Sequence, residues 1–185
     1  TPVGVDEHGG VVDVDLAHDG PHALVAGTTG AGKSELLRTL LVSAALHHSP
    51  ERLQFLLVDY KGGAAFGPLT DLPHTVGTIT DLSGPLARRG LVSLRAELRR
   101  REEAVASLGA DRWSGAALWV VVDELATLVA EQPEFVDGLV DLAQRGRSLG
   151  IHLVLATQRP AGVVTDAIRA NATMRIALRV ADEDD

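Results

Sequence analysis

Gly27-Thr-Thr-Gly-Ala-Gly-Lys-Ser34 decides the fold. The pattern is glycine, four residues, then Gly-Lys-Ser, the spacing of a P-loop. Glycines let the backbone curl until successive N–H groups point at phosphate oxygens. A helix that opens on the loop adds a terminus that favours anions. On this reading Gly27, Thr28, Thr29, Gly30, Ala31, Gly32, Lys33, Ser34 and Glu35 build the nucleotide cradle. Lys33 reaches the β- and γ-phosphates, and Ser34 sets its hydroxyl on Mg²⁺.

The flanks are those the motif requires. His22-Ala-Leu-Val-Ala26 is an apolar run and reads as a strand, and residues 33–46 carry a helical pattern. Further apolar strands are expected at 53–59, 76–80, 118–123, 151–157 and 174–180, with helices at 83–107, 124–131 and 133–148 between them. Val11–Leu16 alternates and reads as an edge strand. Buried strands alternating with helices imply an α/β fold with a mostly parallel sheet covered on both faces.

In such a sheet, functional residues gather at the carboxyl ends of the strands. Four ends carry chemistry here: the P-loop, Asp59 with Lys61, Asp123 with Glu124, and Thr157-Gln158-Arg159. Asp123 is positioned to hold Mg²⁺, and Glu124 to polarise the attacking water as general base. Gln158 can hydrogen-bond the γ-phosphate or that water. Arg159 is a sensor or a surface charge. Asp59 and Lys61 shape the site or an intersubunit contact, unless they are a structural ion pair. His47, His48, His74 and His152 show no metal-ligand spacing and read as structural.

Composition narrows the class. At 185 residues and 45% apolar content the chain suits one globular α/β domain. It has no cysteine, which excludes disulfides and thiolate metal sites. No apolar run is long enough to span a bilayer. The net charge of −8 disfavours bulk attraction to DNA or anionic lipid. Only two of the 17 basic residues are lysines, Lys33 and Lys61, and both fall in or near the apparent nucleotide site. The helix at 83–107 is rich in arginine, with Glu97, Glu102 and Glu103 as partners on a solvated face. A P-loop enzyme with no obvious arginine at its own γ-phosphate can borrow one from a neighbour, which requires an oligomer, most simply a closed ring.

Five segments together resemble the FtsK/SpoIIIE family of motor ATPases: GTTGAGKSELLRTLL, LVDYKGGAAF, LPHTVGTITDL, VVVDELATL and LAQRGRSLGIHLVLATQRP. The likeness runs from about residue 20 to 180. It implies a RecA-like core in which the sensor strand lies beside the P-loop strand and brings Gln158 to the γ-phosphate. It also implies ATP with Mg²⁺ as ligands and a ring, such as a hexamer, as the assembly. DNA translocases of the family usually carry Asp-Pro-Lys after the second strand. Asp59-Tyr60-Lys61-Gly62-Gly63 is instead similar to the ATPases of type VII (ESX-like) secretion and related actinobacterial FtsK-domain proteins. Those proteins hold tandem ATPase domains after membrane helices.

By that resemblance, residues 1–185 are one domain excised from a larger protein, with an N-terminal edge strand at 1–20 and a core at 21–181. It would work at the cytoplasmic face of the bacterial plasma membrane, anchored by segments outside this chain. The resemblance further implies a trans-acting arginine finger at Arg89, with Arg88 the alternate. The expected function is an ATP-hydrolysing motor domain that moves secreted proteins. The alternatives are a motor on double-stranded DNA, and an ATP-binding structural or regulatory element with little turnover.

Overall fold

The computed structural model describes residues 1–59, 65–80, 84–159 and 162–179. Tyr60, Lys61, Gly62 and Gly63 therefore lie outside the described residues. Six strands form one sheet in the order β5-β4-β6-β7-β3-β8. They are β3 (Ala23–Ala26), β4 (Leu53–Val58), β5 (Thr75–Ile79), β6 (Ala117–Val122), β7 (Ile151–Thr157) and β8 (Met174–Ala177). Every neighbouring pair in this sheet is parallel. The fold is α/β and RecA-like, with the sensor strand β7 directly beside the P-loop strand β3.

Side chains alternate across each strand, so each strand feeds two cores. Val120 and Val122 of β6, with Leu153 and Leu155 of β7, face one layer of helices. That layer holds α2 (Gly84–Ser107), α3 (Leu125–Glu131), α4 (Pro133–Arg145) and α5 (Asp166–Asn171). Trp119 and Val121, with Val154 and Ala156, face the other layer, where Leu37, Leu40 and Leu41 of α1 (Lys33–His47) pack. Leu53–Val58, Ala117–Val122 and Ile151–Thr157 are nearly continuous apolar runs because both of their faces are covered.

The segment at 11–16 differs from its expected role. Residues Val11–Asp13 form β2, which pairs antiparallel with β1 (Pro2–Val5) in a separate ribbon. The sheet edge beside β3 is taken by β8 instead. The physical reason is that alternation fixes strand geometry but not the pairing partner. Only Val14 and Leu16, just past β2, reach the core.

Helix α2 buries a single stripe: Ala87, Leu91, Leu94, Leu98 and then Arg101. Spacings of four and three residues keep these positions on one face. Arg101 is 1% exposed at the end of that stripe. Its Nε donates to Glu97 at 2.7 Å, and one terminal nitrogen donates to the carbonyls of Leu149 at 2.8 Å and Gly150 at 3.0 Å. Trp113 covers the guanidinium, 4.9 Å from its ring centre. The arginine-rich helix is therefore only partly a solvated face.

Candidate nucleotide site

Beyond Ala26 the chain turns into the loop. Gly27 N–H donates to Thr157 O at 3.3 Å, and Thr28 N–H to Arg179 O at 2.9 Å. These bonds tie the loop to the tip of β7 and to the chain after β8. Gly30 and Gly32 have φ of 77° and 92°, a left-handed region that side chains resist. Gly32 is also the N-cap of α1 and supplies no side-chain cap. The first-turn N–H groups are thus left for an anion.

Lys33 is buried, and its Nζ donates to Asp123 O at 2.9 Å and to Glu124 Oε2 at 3.4 Å. Asp123 Oδ1 lies 4.0 Å from the same nitrogen and accepts from Ser34 Oγ at 3.4 Å. The backbone N–H of Gln158 donates to Glu124 Oε1 at 3.4 Å, while Gln158 Oε1 accepts from Thr29 Oγ1 at 2.9 Å. The ends of β3, β6 and β7 thereby close on one another through side chains. Thr28, Thr29, Gly30, Gly32, Lys33, Ser34, Glu35, Asp123 and Gln158 line a hollow of about 360 Å³.

Among the described residues, the buried carboxylates Asp123 and Glu124 are both set against the buried ammonium of Lys33, at 4.0 and 3.4 Å. Burial raises the carboxyl pKa of Asp123; Lys33 opposes that rise, and Asp59 and Glu124 add to it. Such a surplus of anionic oxygen suits a hard divalent cation. Ser34 Oγ and Asp123 Oδ1 are the oxygen donors that fit Mg²⁺.

Not every expected site residue joins this cluster. Gly27 and Ala31 support the loop; a Cβ on Gly27 would sit 3.4 Å from Ala31 Cβ. Arg159 is exposed, and its backbone N–H caps Thr157 Oγ1 at 3.2 Å. Arg88 and Arg89 are exposed on α2, beside the β5 edge. That edge is four strand spacings from β3, roughly 19 Å across the sheet. The histidines are held by backbone carbonyls: His47 by Ser43, His74 by His48, and His152 by Pro21.

Sequence reasoning passed over Arg38 and did not foresee the burial of Asp59. Arg38 lines the hollow, four residues after Ser34 and so on the same face of α1. That spacing was the available signal. Asp59 is only 2% exposed and accepts from the Ala65 N–H at 2.7 Å. Its burial follows from the position of β4 inside the sheet, which the sequence does not give.

The FtsK/SpoIIIE family model matches residues 1–116 and 115–162. The type VII secretion system protein EssC of Staphylococcus aureus is 44% identical over 201 residues; the match takes in all of this chain and 14% of that protein. A solved structure of the cytoplasmic domain of the Thermomonospora curvata type VII secretion ATPase EccC superposes with a TM-score of 0.85 at 35% identity, over 97% of this chain and 24% of that one. A second EccC structure, of ATPases 2 and 3 in complex with a signal sequence peptide, gives a TM-score of 0.85 at 31% identity over 93% of this chain and 33% of that one. The chain spans about one seventh of the length of the curated relatives it matches.

Proposed function

The chain belongs to the FtsK/SpoIIIE family of P-loop ATPases, and on that premise we propose that it is an ATP-hydrolysing motor domain of a type VII-like secretion machine. The observation that carries this reading is the convergence of Lys33, Ser34, Asp123 and Glu124 within 4.0 Å contacts at the P-loop. All four functional groups are intact. Relatives with this sequence pattern are secretion ATPases, and one related structure holds a signal sequence peptide. Secreted protein substrates are the partners this reading gives to the domain.

Mg²⁺ held by Ser34 and Asp123 would neutralise charge on the β- and γ-phosphates. Lys33 leaves Glu124 and turns its ammonium to those phosphates. Glu124, freed of its ion pair, takes a proton from water as the water oxygen bonds to the γ-phosphorus. The bond from that phosphorus to the bridging oxygen breaks, and ADP leaves with the electron pair. Gln158 orients the water or the γ-phosphate, held from behind by Thr29. Arg89 acts on the site of a neighbouring domain or subunit in a ring, such as a hexamer.

We assign residues 1–185 to a single ATPase unit of a longer protein. That protein would be anchored at the cytoplasmic face of the plasma membrane by segments elsewhere. Among the described residues no helix is long and apolar enough to cross a membrane. Several arginines of α2 and α4 are already paired, Arg100 and Arg101 with Glu97 and Arg145 with Glu102 and Asp141. This weakens the reading as a DNA motor.

Phosphate release from the assembled protein tests the proposal. Glu124→Gln and Arg89→Ala should each abolish most turnover, and mixing the two variants should restore part of it. No recovery on mixing would remove the trans finger. Unchanged turnover with Glu124→Gln would take the general-base role from Glu124, and no phosphate release by the parent protein would leave only an ATP-binding role.

A further inference from the structure

Ala65 is held from both sides by charged side chains. Its N–H donates to Asp59 Oδ2 at 2.7 Å. Its carbonyl accepts from Arg38 Nε at 2.6 Å. A second nitrogen of the same guanidinium donates to Glu35 at 2.7 Å. Asp59 is 2% exposed and Ala65 8% exposed, so this is a buried residue whose N–H and carbonyl are each held by an ion, rather than a surface contact. Ionised partners make the stronger class of hydrogen bond. The guanidinium holds its two donors apart in a rigid planar fork, whereas a lysine at position 38 would have to reach both acceptors from a single nitrogen.

The grip connects elements that the nucleotide site needs in register. Arg38 and Glu35 stand on α1, in the turn that carries Ser34. Asp59 follows β4, and its neighbour across the sheet is Asp123, whose N–H donates to Val58 O at 3.1 Å. Ala65 and Arg38 line the same hollow as Ser34 and Asp123. We propose that Arg38 and Asp59 are positioning residues: together they clamp the backbone of Ala65 on its two sides, and the clamped residue fixes one wall of the phosphate hollow relative to Ser34 and Asp123. The effect on nucleotide binding rests on the ATP reading above; the clamp itself does not.

Two measurements on the intact chain test this separately. The first is amide hydrogen exchange at Ala65 without nucleotide. Arg38→Ala leaves the Asp59 acceptor in place, yet it should speed exchange of the Ala65 N–H about tenfold or more, because holding the Ala65 carbonyl also holds the N–H of the same residue against Asp59. Arg38→Lys should fail to restore protection. Unchanged exchange with Arg38→Ala, or full rescue by lysine, would overturn the clamp. The second is affinity for a fluorescent ATP analogue. Arg38→Ala and Asp59→Ala should each weaken it about five- to twentyfold, and the double variant should be no weaker than the worse single one. Asp59→Asn takes the place of Asp59→Ala if the latter does not fold. Multiplying losses would mean independent roles and would overturn the shared mechanism. If the wild-type chain binds no ATP, the nucleotide reading falls, while the exchange experiment still decides the clamp.

Discussion

Glu124→Gln should tighten ATP binding while it stops turnover, and the size of the first effect follows from the geometry. Lys33 Nζ lies 3.4 Å from Glu124 Oε2, and both side chains are nearly excluded from water, at 7% and 6% exposure. Two unit charges at that distance attract by about 5 kcal/mol gross at an effective dielectric of about 20. Desolvation of the pair offsets much of that, since buried ion pairs recover only part of their Coulomb energy. If about 1.5 kcal/mol survives, ATP must overcome a roughly tenfold handicap when it draws Lys33 away. Removing the carboxylate charge also removes repulsion of the incoming γ-phosphate. The substituted amide would still offer its oxygen to the Gln158 N–H.

The assay is a titration with a fluorescent ATP analogue, paired with phosphate release. The dissociation constant should fall about five- to thirtyfold. Turnover should drop by about 10²–10⁴, the usual loss with a general base. Salt should change the affinity gap little, because buried pairs are weakly screened. An equal or higher dissociation constant would refute the idea that Glu124 competes for Lys33. The lysine would then be held by the Asp123 carbonyl, 2.9 Å away, in a posture that already suits ATP.

Other perturbations test the frame around this site. Arg101→Ala leaves the carbonyls of Leu149 and Gly150 without their buried donor and should cost about 3 kcal/mol; a loss below about 1 kcal/mol in urea unfolding would contradict the buried-arginine argument. Burial lowers the pKa of His22 to about 4 from its ordinary 6.5. The unfolded chain therefore binds more protons than the fold between those values, and stability should decline by about 3 kcal/mol as pH falls from 6.5 to 4. His152, also lowered chiefly by burial, adds to the same slope. His22→Gln should flatten the decline, and a slope unchanged by the substitution would assign it elsewhere. Gly32→Ala imposes a side chain at φ 92°, about 1–2 kcal/mol of strain. It should abolish ATP binding while circular dichroism stays near that of the parent; retained binding would show that the loop tolerates another path.

Much of this was legible because the decisive signals are local. Gly27–Ser34 needs only its own glycines and the strand and helix beside it. Ile151–Thr157 reads as a strand from its apolar run and is one, with the same bounds. Asp123, Glu124 and Gln158 were legible for a second reason: a parallel sheet sends all its strand ends to one side, so topology alone gathers them. What stayed hidden depends on long-range placement. The ribbon at Pro2–Asp13 pairs with itself, since alternation does not name a partner. Short elements such as Gly67–Asp71 and Asp166–Asn171 lack enough turns to show a period. Arg101 reads as one more solvated charge in a basic helix, yet the stripe Ala87, Leu91, Leu94, Leu98 continues to it. A period count that ignored residue type would have found it.

The strand order also bears on the proposed trans arginine. The P-loop follows β3, the fifth strand, and α2 follows β5, the first. Three strands stand between them, so the exposed Arg88 and Arg89 are held on the flank farthest from their own phosphate hollow. Lys33 and Arg38 bring positive charge to that hollow, but Lys33 is engaged by Asp123 and Glu124, and Arg38 by Glu35 and the Ala65 carbonyl. A transferring phosphoryl group gains from an added guanidinium, and under the proposal above a neighbour supplies it. A head-to-tail contact repeats one interface between unlike surfaces, and it closes into a ring when the rotation permits. If the β5–α2 flank of one domain meets the P-loop flank of the next, every interior hollow gains an arginine without any chain folding back on itself. Turnover would then depend on contact between neighbours, so specific activity should rise with protein concentration. A specific activity independent of concentration across the assembly range would mean that the hollow is complete in a single chain.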